Sequence, residues 1–329
     1  MIRFGVIGTN VITEEFIQVV REVEDCTLAA VYSRTEERAK EFAEKFDIQT
    51  IFTDLESMAT SEEIDAVYIA SPNSFHARQA IILMKHGKHV LCEKPIASNT
   101  RELKEMIGVA KKNNVLLMEA LKTTFVPNFK SIQKNLHKIG KIRRYVASYC
   151  QYSSRYDAYK EGTVLNAFNP AFSNGSLMDI GIYCIYPMVV LFGKPHSIKA
   201  NGILLDSGVD GEGSILLKYE EQDAVVMFSK ITNSYLPSEI QGENGSIMLD
   251  KMNPPEKVEI HYNDGRIENI TQLQRSNPIY YEVQEFVSLI KNGVLESGTN
   301  SYKNSLSVAE IMEEARKQMG LVFPADKVR

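Results

Sequence analysis

A chain of 329 residues, 44% hydrophobic and 24% charged, is long enough to bury a sizeable core and too long for one typical domain, so two domains are expected. A net charge of -5 argues against a nucleic-acid binder, which would need a clustered basic face. The four cysteines, Cys26, Cys92, Cys150 and Cys184, are far apart and lack C-x-x-C pairing, so they read as reduced core residues, and six histidines without HExxH give no metal site.

The amino terminus, MIRFGVIG, reads as a strand rather than a charged leader before an apolar run. No apolar run approaches the roughly 20 residues that span a bilayer, so a cytoplasmic protein is expected. Beyond it, β-rich runs at Ile2–Ile7, Leu28–Tyr32, Ala66–Ala70, His89–Cys92 and Val115–Met118 alternate with helical spacing at Glu14–Val23, Glu36–Phe46, Ser74–His86 and Thr100–Asn113. That alternation predicts an α/β fold, a doubly wound parallel sheet whose ligands bind beyond the carboxyl ends of its strands.

After about Lys122 the pattern changes. A strand from Ile142, a long irregular stretch, one helix and strand-like runs at Ser214–Tyr219, Ala224–Ile231 and Ser246–Leu249 predict an α+β domain. Gly211–Gly213, Asn244–Gly245 and Asp264–Gly265 read as the turns of antiparallel connections. Two helices, around Pro278–Lys291 and Lys303–Met319, close the chain. The expected division is a dinucleotide-binding domain over residues 1–122 and a substrate-binding and oligomerisation domain over residues 123–329.

The first strand runs into the first helix through Gly8, Thr9, Asn10, Val11 and Ile12. Gly8 suits a tight turn, and a helix N-terminus there can hold a pyrophosphate. The complete G-x-G-x-x-G is absent. Asn10 stands where the second glycine would be, and Asn tolerates left-handed backbone better than most residues; a plain βα turn is the alternative. At the end of the second strand Ser33 and Arg34 occupy the ribose-reading position with no carboxylate, which favours NADP over NAD, because Ser33 and Arg34 can bind a 2′-phosphate. Arg38, one helical turn on, either adds charge there or is a solvated arginine.

Ser71, Pro72 and Asn73 end another strand, with Ser74 as a possible helix cap, Asn73 reaching the cofactor, and His76 either touching it or packed in the core. Glu93, Lys94 and Pro95 end the next strand, and a cis bond before Pro95 would turn Lys94 into a cleft. In Asn174–Tyr183, if Ser176 caps a helix, Asp179 and Tyr183 share one face of it. An ammonium beside a phenol favours the phenolate, so Lys94 and Tyr183 would form a proton relay with Asp179 orienting a hydroxyl. The alternative is a core tyrosine with a first-turn aspartate.

Together these stretches resemble the Gfo/Idh/MocA oxidoreductases: GVIGTNVI, SRTEERAKEFAEKF, SPNSFHA, CEKPIA, MEAL at Glu119, GSLMDIGIYCIYP and VFPAD. The resemblance covers essentially the whole chain. It implies a Rossmann domain followed by a domain with a large open, mostly antiparallel sheet, and hydride transfer between nicotinamide and a sugar, polyol or diol carbon. It assigns Lys94 a catalytic or cofactor-contacting role and places Asp179 and Tyr183 in the D-x-G-x-H/Y motif. Tyrosine at 183 is similar to the branch of glucose-fructose oxidoreductase, NADP-dependent xylose dehydrogenases and dimeric dihydrodiol dehydrogenases; Lys122 and Thr124 depart from the last of these.

The expected protein is therefore an NAD(P)-dependent dehydrogenase or reductase. Its catalytic residues are Lys94, Asp179 and Tyr183; its cofactor residues run from Gly8 to Ile12 and include Ser33, Arg34, Arg38, Ser71, Pro72, Asn73, His76, Glu93, Pro95 and Glu119. No metal, nucleic acid or membrane partner is expected. A dinucleotide- and sugar-binding sensor, and a sugar oxidoreductase that retains its cofactor, are the rival readings. An open sheet needs covering, so a homodimer or homotetramer built on that face is expected.

Overall fold

The computed structural model describes residues 1–327. In chain order it runs β1 (Ile2–Ile7), α1 (Val11–Val20), β2 (Cys26–Tyr32), α2 (Glu36–Phe46), β3 (Thr50–Phe52), α3 (Leu55–Thr60), β4 (Ala66–Ile69), α4 (Asn73–Lys85), β5 (His89–Glu93), α5 (Thr100–Asn113) and β6 (Leu117–Ala120). There follow α6 (Pro127–Asn135), β7 (Ile142–Cys150), α7 (Ser154–Lys160), a π-helical turn (Leu177–Gly181) continuous with α8 (Ile182–Phe192), and β8 (Ser197–Leu204), β9 (Asp210–Lys218) and β10 (Asp223–Ser229). The chain closes with β11 (Ser238–Gly242), β12 (Gly245–Leu249), β13 (Val258–Tyr262), β14 (Ile267–Asn269), α9 (Ile279–Lys291) and α10 (Tyr302–Met319).

Two compact units form. One comprises Met1–Lys122 with Arg275–Tyr302, the other Thr123–Gln274 with Lys303–Arg329. The first holds a six-stranded sheet in the order β3-β2-β1-β4-β5-β6, parallel throughout, which is the doubly wound arrangement of dinucleotide-binding domains. Its core is aromatic: Phe16 stacks on Tyr68 at 3.8 Å, and Phe4 meets Phe16 and, from the late helix α9, Phe286. Sequence reasoning did not show that α9 rejoins this unit. Nor did it show β3 and α3, three and six residues long, which are too short to display a period.

The second unit holds an eight-stranded sheet, β14-β13-β12-β11-β7-β10-β9-β8, antiparallel except where β10 pairs with β7. Along β10 and β12 buried positions alternate with half-buried ones, so one face lies against the core and the other faces outward. On the inner face Tyr145 donates its hydroxyl to the Cys184 carbonyl of α8 at 2.9 Å. Gly211–Gly213, expected as a turn, lies inside β9; Gly213 pairs with Phe228, and a Cβ on it would sit 2.7 Å from that ring. Gly213 leaves room for an aromatic neighbour. Asn244–Gly245 and Asp264–Gly265 do join antiparallel strands.

One helical stretch, Pro170–Phe192, is long and apolar enough to cross a membrane, contrary to the expectation of no such run, but 78% of its apolar window is buried inside the protein. It is a core element.

Candidate active site

In the first unit, β1 ends at the Gly8 turn. Gly8 has φ +110°, and a Cβ there would lie 2.6 Å from the Ala70 carbonyl, so the chain passes too close for any other residue. Asn10 does not take the left-handed backbone expected of a glycine substitute. Its φ is -108°, and it is the N-cap of α1: its side-chain oxygen accepts from the Thr13 amide at 3.1 Å, while its side-chain nitrogen donates to the Ala70 carbonyl at 2.8 Å. The turn is thus fastened to the end of β4. A tight glycine turn at a capped helix N-terminus fits the pyrophosphate of a dinucleotide.

Ser33 follows β2 half-buried, and Arg34 is exposed beside it. The next carboxylate, Glu36, is engaged by Lys40 at 2.6 Å. Arg38 reaches back to the phosphate turn, donating to the Thr9 hydroxyl at 3.1 Å and the Thr9 carbonyl at 2.9 Å, and pairs with Glu41 at 2.6 Å. The β2 end therefore offers a hydroxyl and the exposed Arg34 guanidinium to an anion, with Arg38 already engaged by Thr9 and Glu41.

At the end of β5 the Lys94–Pro95 bond is cis and Lys94 is half-buried. Around it the backbone is held group by group. The Glu93 carboxylate accepts from the Lys94 amide at 3.2 Å, His76 meets the Pro95 carbonyl at 2.9 Å, Glu119 accepts from the Ile96 amide at 3.0 Å, and the Cys92 thiol donates to the Ile96 carbonyl at 3.8 Å. The second nitrogen of His76 meets the Ser71 carbonyl at 2.8 Å, which ties this loop to the Ser71–Asn73 loop. His76, Glu93 and Glu119, expected among the cofactor residues, are buried, at 0%, 9% and 3% exposed. Burial lowers the pKa of His76 despite the two carbonyls, and the Lys94 charge lowers it further. Ser74 is not a cap: α4 starts at Asn73 with no side-chain cap bond.

Glu93 also accepts a 2.5 Å bond from the Tyr68 hydroxyl. Burial raises its pKa, against the Lys94 charge and that bond. Behind it lies Glu282 of α9, fully buried, its carboxyl pushed well up by burial and by Glu93. Sequence reasoning missed this second carboxyl, because the return of α9 is not legible in the pattern.

In the second unit, Ser176 does not cap the helix. The Leu177 amide is instead taken by Asp210, the first residue of β9, at 2.6 Å. Gly175, with φ +138°, makes this approach possible: a Cβ there would lie 2.2 Å from the Asp210 carboxylate. Burial raises the Asp210 pKa to about 6. The turn that follows is π-helical rather than α-helical, a form common at functional sites. Asp179 lies in it and pairs with the buried Lys230. Tyr183, 8% exposed, is the second residue of α8, with its ring edge-to-face on Tyr149 at 5.9 Å. Lys230 was missed too, although it is the only charged residue between Asp223 and Glu239, directly after an apolar strand. No cluster of metal-ligating side chains exists among the described residues.

Residues 2–121 match the model of the oxidoreductase family with an NAD-binding Rossmann fold, and residues 135–248 match the GFO/IDH/MocA C-terminal domain. The chain belongs to the Gfo/Idh/MocA oxidoreductases. Among this family's members, scyllo-inositol 2-dehydrogenase (NADP(+)) IolU of Bacillus subtilis is 61% identical over 327 residues, covering 99% of this chain and 100% of that one. Trans-1,2-dihydrobenzene-1,2-diol dehydrogenase of Danio rerio is 32% identical and covers 99% of each. The aldose-aldose oxidoreductase of Caulobacter crescentus, crystallised with glycerol, is 21% identical with a TM-score of 0.86, covering 96% of this chain and 97% of that one, and so shares the Gfo/Idh/MocA fold.

Proposed function

We propose that this Gfo/Idh/MocA oxidoreductase is an NADP-dependent dehydrogenase of a polyol, with a cyclic polyol of the inositol kind as the first substrate to test. The full-length 61% identity to an NADP(+)-dependent scyllo-inositol 2-dehydrogenase carries this reading. The Ser33-Arg34 pair at the β2 end supports the cofactor, since a carboxylate there would repel a 2′-phosphate. Gly8 through Ile12 would hold the pyrophosphate and Ser33 and Arg34 the phosphorylated ribose, with Arg38 steadying the turn through Thr9, while Ser71, Pro72, Asn73 and Pro95 would line the nicotinamide side.

The bound nicotinamide supplies the acceptor, or in reverse the donor, of the hydride. The rest falls to side chains. Tyr183 takes the proton from the substrate hydroxyl, or returns it in reduction, and Lys94 supplies the positive charge that such a proton relay needs. Asp179 accepts a hydrogen bond from a substrate hydroxyl and fixes its orientation. The protein works in the cytoplasm, as a homodimer or homotetramer.

The test is nicotinamide absorbance with a panel of cyclic polyols, aldoses and diols, using the parent, Lys94→Met and Tyr183→Phe. Turnover of a cyclic polyol with NADP, lost by about 100-fold or more in both variants while nucleotide still binds, is expected. Nucleotide binding without turnover of any compound would favour a sensor.

A further inference from the structure

The Asp179–Lys230 pair is lopsided. The lysine side chain is 5% exposed and the aspartate side chain 33%, so the ammonium is turned inward and its carboxylate partner outward. Lys230 is also fixed along its length. Its amide donates to the Gly211 carbonyl of β9 and its carbonyl accepts from the Ser153 amide, each at 2.9 Å, while its ammonium stands 5.5 Å from the centre of the Phe168 ring. The pairing of β9 with β10 brings Ser229 opposite Glu212, so Asp210 and Lys230 flank the same end of that hairpin. One takes the Leu177 amide at the start of the π-helical turn; the other takes the Asp179 carboxylate within it.

A buried ion pair is poor evidence for stability, because apolar residues of similar volume often serve as well. A buried ammonium against a partly exposed carboxylate does something apolar residues cannot: it holds the carboxylate in one orientation and favours its charged, accepting form. We infer that Lys230 is the positioning residue of the substrate-handling element, holding Asp179 ionised and aimed while Asp210 anchors the turn beneath it. The inference rests on the reading that Asp179 handles substrate.

A double-mutant comparison on the full-length protein, with cyclic polyol and NADP, separates the two. Lys230→Met is expected to lower kcat by about 10–100-fold, as loss of a supporting contact does elsewhere, while nucleotide Kd from fluorescence titration stays within about twofold. Lys230→Arg should recover most of the loss, since it keeps the charge. In the Asp179→Asn background, Lys230→Met should cost less than about threefold more, because residues acting as a unit are not additive. Equal losses in both backgrounds, or a folded Lys230→Met protein with the parent kcat/KM, would overturn the inference. Should Lys230→Met fail to fold, Lys230→Gln in the two backgrounds carries the same comparison, and circular dichroism checks the fold. An Asp179→Asn protein with parent activity would instead bring down the reading beneath it.

Discussion

Arg34 is exposed at the end of β2 and Arg38 is already bonded to Thr9, so the two guanidinium groups differ in what they can do. Arg38 stiffens the turn whichever nucleotide binds; Arg34 is the better candidate for discrimination. A charge-assisted bond to a phosphate contributes about 1.5–3 kcal/mol. Arg34→Ala is therefore expected to weaken NADP by about 10–100-fold and NAD by only a few-fold, measured as the ratio of the two Kd values. Equal weakening of both would remove Arg34 as the discriminating residue. At this scale the sequence was informative where chemistry is carried by residue type, as in the expectation of NADP, and misleading where one type has two uses. Asn10 was read as a tolerant stand-in for glycine, yet an Asn three residues before a Thr at a helix start is also an N-cap pattern, and that is the use it has. His76 is the reverse case: nothing in SFHA distinguishes a ring that touches a ligand from one that bridges two loops.

The loop from Lys94 to Ile96 shows how an element is held by groups drawn from elsewhere in the first unit. Its backbone contacts come from β5, α4 and β6: Cys92 and Glu93 from the first, His76 from the second and Glu119 from the third. Glu282 of α9 adds a third carboxyl behind them, with one oxygen lacking any hydrogen-bond partner. Because the folded protein holds the Glu282 proton more tightly than the unfolded chain, which releases it near 4.5, the unfolded state loses protons first as pH rises. Stability then declines from about pH 4.5 upward until the folded carboxyl ionises. Glu282→Gln removes that titration, so the variant should gain on the parent as pH rises, with a Tm higher by about 2–4 °C near pH 8 for each kcal/mol relieved. Melting curves across the range check this. A parent–variant difference that does not change with pH would mean that Glu282 is not protonated in the fold. The contacts of His76, Glu119 and Glu282 were not legible in the sequence because they join residues far apart in the chain.

Across the whole molecule, the long periodic elements were legible: β1, α2 and α5 lie where the apolar spacing put them, and the helix-strand alternation implied the parallel sheet. The second sheet was seen only in part, since its strand order joins β7 to β10 and β11, neither of them its neighbour in sequence. That order also sets what faces outward. The register aligns Leu216, Val225 and Val146 across three adjacent strands, continuing to Glu239 and Met248. Leu216 is 56% exposed there. An apolar run of Leu216, Val225 and Val146 across the middle of an open sheet, bounded by Lys199 on β8 and Glu239 on β11, suits a self-complementary interface better than water. In the proposed homo-oligomer this row lies in the interface, and placing charge in it should be costly. Leu216→Lys combined with Val225→Lys is expected to reduce the mass found by light scattering at micromolar concentration from that of a dimer or tetramer towards that of one chain, with little change in circular dichroism. A parent protein already monomeric under those conditions would rule out the assembly, and a variant that keeps the parent's mass would move the interface off this face.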